Sequence, residues 1–232
     1  DFSGLFADDL IYAVRDADSH EAAHRLQGFI EELGQWCNRW RLKINPAKSC
    51  TVSFTYKRQF IDVPLTFMGQ TIPSARSHKY LGVTLDRKLT FEDHISDLLK
   101  RCTARTRQLK YLLDNPTLPI ENKMLIYKVF IRPLWTYALP IWGTCSASQF
   151  RRLEQQQNKL LQRQIVHAPP FVRNETIYRD FQLETPPECR EVAMKTFVRR
   201  NADHYNTLAN EGFIQPHHRR LRRPRHIFDI ID

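Results

Sequence analysis

From Ala22 to Trp40 the apolar residues Ala22, Leu26, Phe29, Ile30, Leu33, Trp36, Cys37 and Trp40 recur at helical spacing. The pattern predicts an amphipathic helix of about five turns with this stripe turned inward and Asp18 or Ser19 as its cap. Upstream, Leu5-Phe6-Ala7 and Leu10-Ile11-Tyr12-Ala13-Val14 are β-prone runs separated by Asp8-Asp9 alone. Two such runs with a two-residue connection predict a tight β-hairpin, although Asp-Asp lacks the glycine these turns prefer. Between residues 49 and 85 the pattern changes to short strands, Cys50 to Thr55, Leu65 to Met68, Gln70 to Ile72 and Lys79 to Leu85, broken by Pro64, Gly69 and Pro73. These predict a small antiparallel sheet region.

From Thr90 the helical period returns. Ile95, Leu98, Leu99, Cys102, Thr106, Leu109 and Leu113 form one stripe, and Lys100, Arg101, Arg105, Arg107 and Lys110 fall mostly off it. A further helix is expected from Pro119, suited to the first helical position, to a break at Pro133. Another spans about Ser148 to Ile165, and one more Glu188 to Leu208. The fold class expected is α+β, with a boundary near residue 90: mixed α and β before it, all-helical after it.

Composition adds a direction. The chain has 232 residues, 42% of them hydrophobic, with 7 glycines and 13 prolines, which excludes disordered and collagen-like classes. Its formal charge of +10 favours a polyanionic partner. The excess is uneven: residues 1 to 98 hold 12 Lys/Arg against 13 Asp/Glu, and residues 99 to 232 hold 23 against 12. Solvated helix faces would give the same imbalance. Five cysteines at wide spacings, without a C-x-x-C pair, fit neither a disulfide framework nor a zinc knuckle and suggest a reducing compartment. The most apolar run, Val129 to Trp142, is interrupted by Arg132, Pro133 and Pro140, so no membrane association is expected. The first residue is Asp1, inside a predicted strand, and the chain reads as a fragment whose upstream part is missing.

Asp8 and Asp9 are the first candidates for chemistry. Neighbouring side chains in a strand face opposite ways, so two adjacent aspartates serve one site only where a turn redirects them. Hard divalent ions take oxygen ligands, few from protein, and two-metal phosphoryl transfer needs such carboxylates. Aspartate is also an ordinary turn residue. His20-Glu21-Ala22-Ala23-His24 fits the H-E-x-x-H zinc pattern on a predicted helix. Its histidines, however, lie near an exposed first turn, off the buried stripe. The segment His217 to His226, with five arginines and three histidines, is expected to be a mobile basic tail, usable for nuclear import or RNA retention. Asn174-Glu175-Thr176 matches a glycosylation acceptor, but no secretory signal accompanies it.

Four blocks in order connect these features. Phe6-Ala7-Asp8-Asp9 resembles the F/Y-x-D-D catalytic hairpin of reverse transcriptases. Leu42-Lys43-Ile44-Asn45-Pro46-Ala47-Lys48-Ser49 resembles the palm segment that follows it in non-LTR retroelement polymerases. His78-Lys79-Tyr80-Leu81-Gly82-Val83-Thr84-Leu85-Asp86 is similar to the primer-grip hairpin, and Tyr127 to Gly143 to the thumb. Leu153 to Arg163 and Ala168 to Asn174 continue in the style of jockey-like elements, so the resemblance covers essentially the whole chain.

The resemblance implies a partial antiparallel palm sheet with helices over residues 1–90, a helical thumb over 91–167, and a post-thumb helical extension with a basic tail over 168–232. It implies Asp8 as a metal ligand for Mg²⁺ or Mn²⁺ and Asp9 as a supporting carboxylate. Lys48 would be the proton donor to departing pyrophosphate, and Lys79, Tyr80, Leu81 and Gly82 would lie along the primer backbone. Arg101, Arg105 and Arg107 would help line a groove for an RNA template and DNA primer, with deoxynucleoside triphosphates as substrates. The family's upstream metal-binding aspartate and nucleotide-binding fingers have no counterpart in these residues, so the chain alone is expected to be inactive. Action in the nucleus and in a cytoplasmic ribonucleoprotein is implied as well. The other reading open is a non-catalytic nucleic-acid-binding remnant of a truncated element.

Overall fold

The computed structural model describes residues 1–57, 62–202, 204 and 227–231. It is an α+β chain, with 55% of the described residues helical and 13% in strands, and it divides into two compact units, Asp1–Leu89 and Thr90–Asp232. The predicted extension of the last long helix to Leu208 and the tail from His217 to His226 lie outside the described residues.

The first unit contains three two-stranded antiparallel hairpins and one long helix. Strand β1 (Phe2–Phe6) pairs with β2 (Asp9–Ala13), β3 (Leu65–Phe67) with β4 (Gln70–Ile72), and β5 (Ser77–Tyr80) with β6 (Val83–Asp86). All three turns have two residues. Met68 and Gly69 (φ 48° and 79°) and Leu81 and Gly82 (φ 44° and 80°) both take left-handed backbone, the type I′ geometry that matches strand twist. Helix α1 (Ser19–Trp40) starts where the Asp18 side chain accepts from the His20 backbone N–H at 3.0 Å. Its Ile30 and Cys37, flanked by Ala23, Leu26 and Leu33, pack on Leu65, Phe67 and Ile72. The Gln27 carboxamide accepts from the Thr66 N–H and donates to the Thr66 carbonyl, both at 3.0 Å.

Three expectations are corrected here. The Cys50 to Thr55 run is not a strand but a connection holding one parallel bridge, Thr51 to Ser74, because among the described residues no second strand lies alongside it. Lys79 to Leu85 is two strands rather than one, folded back at Leu81-Gly82 as the resemblance implied. The inward stripe of α1 is narrower than its apolar arc: Trp36 and Trp40 lie exposed at its edge.

The second unit is helical: α2 (Glu92–Gln108), α3 (Lys110–Leu113), α4 (Ile120–Ile126), α5 (Arg132–Thr136), α6 (Leu139–Trp142), α7 (Ala147–Leu160), α8 (Asn174–Asp180) and α9 (Pro186–Asn201). Pro133 does not end its helix as expected. A π-helical turn, Tyr127–Ile131, precedes it, and the Arg132 N–H donates to the Tyr127 carbonyl five residues back, so the ring and its missing N–H are absorbed by the wider turn. Leu113, Met124, Tyr127, Ile131, Leu161, Ile165 and Tyr178 belong to one continuous core. A second buried group surrounds Trp142, whose ring lies 5.7 Å from His94 and 6.2 Å from Phe150. Its indole N–H donates to the Tyr137 carbonyl at 2.9 Å.

Candidate functional site

The β1–β2 hairpin sets the geometry of the aspartate pair. Phe6 pairs with Asp9, so the turn residues are Ala7 and Asp8, one position earlier than expected, and Ala7 supplies the positive φ of 53°. Asp8 therefore stands on the turn itself, and Asp9 opens strand β2. Strand alternation puts Asp9, Ile11, Gly4 and Phe6 on one face and Leu5, Leu10 and Tyr12 on the other. Tyr12 stacks on Phe29 of α1 with ring centroids 3.6 Å apart, which fixes the second face toward the helix and leaves Asp9 on the outer one. Asp1 and Arg25 strengthen the seating: the Tyr12 hydroxyl donates to Asp1 at 3.2 Å, and Arg25 pairs with both Asp1 and Asp16.

Asp8 and Asp9 are both exposed, and neither carboxylate has an ion-pair or hydrogen-bond partner among the described residues. Carboxylate oxygens suit a hard divalent ion that keeps several waters or phosphate oxygens, so the donor type fits magnesium or manganese. Among the described residues no group of three or more His, Cys, Asp or Glu gathers around one point, so the pair offers only part of a ligand set. The same observation bears on His20, Glu21 and His24. All three are exposed at the start of α1 and are not assembled as zinc ligands.

Lys48 closes a 3₁₀ turn, Pro46–Lys48, whose entry is fixed by the Asn45 side chain accepting from the Ala47 N–H at 3.0 Å. Its ammonium is exposed and unpaired among the described residues. On β5, Lys79 and Tyr80 face opposite ways. Tyr80 shares a face with buried Val83, Lys79 shares the other with Thr84, and Leu81-Gly82 forms the tip between them.

The three arginines of α2 do not share one face. Arg101 and Arg105 are one turn apart, and Arg101 pairs with Asp97 at 3.0 Å. Arg107 points away from the buried stripe of His94, Ile95, Leu98, Cys102 and Thr106. Arg152 is committed to packing: it donates to Gln149 on its own helix α7 and to Ser96 on α2. Arg132, at the start of α5, pairs with Glu184 and donates to the Cys189 sulfur, a link between distant segments that sequence spacing could not reveal. Among the described residues no helix is long and apolar enough to cross a membrane.

With this geometry in hand, known proteins supply the class. A probable RNA-directed DNA polymerase from transposon BS of Drosophila melanogaster is 33% identical over 220 residues, 94% of this chain and 24% of its own length. A probable RNA-directed DNA polymerase from transposon X-element of the same species is 38% identical over 181 residues, 78% of this chain and 20% of its own. The RNA-directed DNA polymerase from mobile element jockey of Drosophila funebris is 32% identical over 207 residues, 88% and 22% respectively. No family model matches the chain, and no solved structure matches it significantly. The chain is thus similar to a stretch of the polymerases of transposable elements. More narrowly, it is a homologue of the RNA-directed DNA polymerases of jockey-like non-LTR elements. It spans between a fifth and a quarter of the length of these relatives.

Proposed function

We propose that these residues are the part of a reverse transcriptase that carries its catalytic aspartate pair, its primer contact and its duplex-holding helices. The enzyme containing them adds deoxynucleotides to a DNA primer 3′ hydroxyl on an RNA template. One observation carries this reading: Asp8 and Asp9 stand unpaired at a two-residue hairpin tip, in a chain similar over most of its length to RNA-directed DNA polymerases.

In this reading Asp8, on the turn, is the metal ligand, and Asp9 beside it adds negative charge and a second oxygen donor. Magnesium or manganese, when bound, supplies charge stabilisation at the attacking and leaving oxygens. Among the described residues neither carboxylate is engaged, so no bond to them must break before they act. Lys48 is a flexible ammonium able to give a proton to departing pyrophosphate. The Leu81-Gly82 tip meets the primer backbone with its own backbone. Lys79 adds charge on one face of that hairpin and Tyr80 a ring on the other. Arg101, Arg105 and Arg107 hold duplex phosphates without reading sequence. Work in the nucleus and in a cytoplasmic ribonucleoprotein follows from the same proposal.

The decisive test is primer extension by the polymerase that contains this chain. Asp8→Asn is expected to remove nearly all extension while leaving primer–template binding intact. Lys48→Ala is expected to slow the chemical step by roughly a hundredfold or more. Extension at the normal rate by the Asp8→Asn enzyme overturns the proposal, and in that case binding without catalysis is what remains.

A further inference from the structure

The C-terminal half of α1 carries a feature that the proposed catalytic centre does not use. Trp36 and Trp40 are 50% and 63% exposed, one helical turn apart on the same face, with ring centroids 6.5 Å apart and planes inclined by 47°. Their row on the helix continues from Phe29. There Tyr12 stacks on the ring, whereas further along the two indoles stay half or more exposed. Two exposed indoles on one helix face are a large apolar area for a surface to leave in water.

The charge around them is one-sided. The helix end reads Trp36-Cys37-Asn38-Arg39-Trp40-Arg41-Leu42-Lys43, cations interleaved with rings, and no Asp or Glu occurs between Glu32 and Asp62. Arg39, Arg41, Lys43 and Lys48 are all exposed, and none has an ion-pair or side-chain hydrogen-bond partner among the described residues. Other long cations are treated differently: Arg25 and Arg87 of the same unit, and Arg101, Lys110, Arg132, Arg179 and Lys195 of the helical one, each pair with an acid. A helix C-terminus carries roughly half a negative charge, which one or two of these cations would balance. Four exceed that need. So this unit, with 12 Lys/Arg against 10 Asp/Glu over residues 1–89, holds a local basic patch that whole-unit counting hides.

Interleaved rings and cations suit a partner that presents both flat π faces and regularly spaced negative charge. Duplex nucleic acid offers the charge but keeps its base faces stacked inside, and an acidic peptide offers no run of planar faces. A single strand offers both. We propose that Trp36 and Trp40, with Arg39, Arg41 and Lys43, form a stacking platform for single-stranded RNA. The choice of RNA rests on the polymerase reading above, in which the unpaired strand is the template.

The test uses the 232-residue chain and a labelled, unstructured oligouridine followed by fluorescence anisotropy. Replacing both tryptophans with alanine is expected to weaken binding by at least about tenfold, since each stacked base contributes measurably. Trp40→Phe keeps a ring and is expected to retain most of the affinity. Arg39→Gln combined with Lys43→Gln is expected to lower the steepness of the salt dependence by about one to two. Because the indoles are exposed, the double alanine variant is expected to melt with the parent, which separates lost contact from lost fold. Unchanged oligouridine affinity in that variant overturns the proposal. So does a dimer of the parent protein that the variant loses while its RNA affinity stays the same, since the face would then serve a second copy. Asp8→Asn leaves this binding untouched, so a failure of the platform and a failure of the catalytic assignment register in different assays.

Discussion

Trp135 on α5 and Trp142 on α6 of the helical unit are 1% and 0% exposed, with α5 packed on α2 and α6 on α9, whereas Trp36 and Trp40 in the strand-bearing unit project into solvent. The cause is architectural. Helices crossing one another can close around a ring on every side, so Trp142 meets His94 and Phe150, and Arg190 lies 4.1 Å over the Phe150 ring. Two-stranded hairpins are too narrow for that, and β3–β4 covers only one side of α1. The same residue type is therefore structural in one unit and surface in the other, and an amphipathic arc on α1 wider than its cover leaves apolar side chains to meet something else.

The strongest challenge to this contrast is truncation of one tryptophan from each unit. Trp142→Ala is expected to destabilise by about 3–5 kcal/mol, and Trp36→Ala by no more than about 0.5 kcal/mol, as read from urea unfolding of each variant. Equal losses would erase the distinction. Next in size is Gly69→Ala in the narrow β3–β4 turn. No atom lies within 4 Å of the added methyl, so the expected cost of about 1–2 kcal/mol comes from the left-handed backbone alone.

On the helical side, Thr185 and Glu188 form a capping box at the start of α9. Thr185→Ala should cost about 1 kcal/mol in thermal unfolding. Hydrogen bonds from the Thr185 backbone and hydroxyl hold the Glu188 carboxyl below its ordinary range. A depressed carboxyl contributes stability above its unfolded pKa and loses it as pH falls through the folded value. The gap between parent and Thr185→Ala should therefore shrink in acid, and a gap constant down to pH 2 would refute the link.

The smallest expected effect has the opposite sign. Gly34 is buried in α1, where an added methyl would meet Met68 and Phe67 at 3.8 Å, ordinary contact, so Gly34→Ala should stabilise by about 0.5–1 kcal/mol. A loss would mean that α1 sits closer to its hairpin than described. Thiol labelling sharpens the same comparison without altering stability. Burial pushes Cys102 and Cys189 up to about 11, and Cys50 of the strand-bearing unit is only half-buried. Cys50 should react first at pH 8.

How far the chain could be read in advance follows from these contacts. The α2 stripe was mostly legible because its packing is local in period: Ile95, Leu98, Cys102 and Thr106 are buried, whereas Leu99 and Leu109 are half-buried and Leu113 falls on α3. On α1 periodicity located the arc but could not say which half would be covered, which depends on β3 and β4 some thirty residues away. The β-branched residues of Cys50 to Thr55 favour extended backbone, yet a strand also needs a paired neighbour, and among the described residues only Thr51 forms a bridge, with one further backbone bond from Thr55 to Arg87. Pro133 reads as a stop by its own chemistry, and only the preceding π turn reveals how the helix continues. At the candidate site, the residue types of Asp8, Lys48 and Lys79 to Gly82 were visible in the motifs. The one-residue shift of the turn was not, because it depends on Ala7 accepting a left-handed conformation.

The carboxamide of Gln27 occupies both backbone groups of Thr66 that point away from β4. A helix side chain thus stands where the next strand of that sheet would dock, imitating a peptide unit. The width of the β3–β4 hairpin is in this way limited from outside, by one residue of α1, and the edge of β3 is spoken for at its central position. Removing that amide would offer the strand to any extended chain that passes, so Gln27 works as a stopper against unwanted sheet growth as well as a clasp.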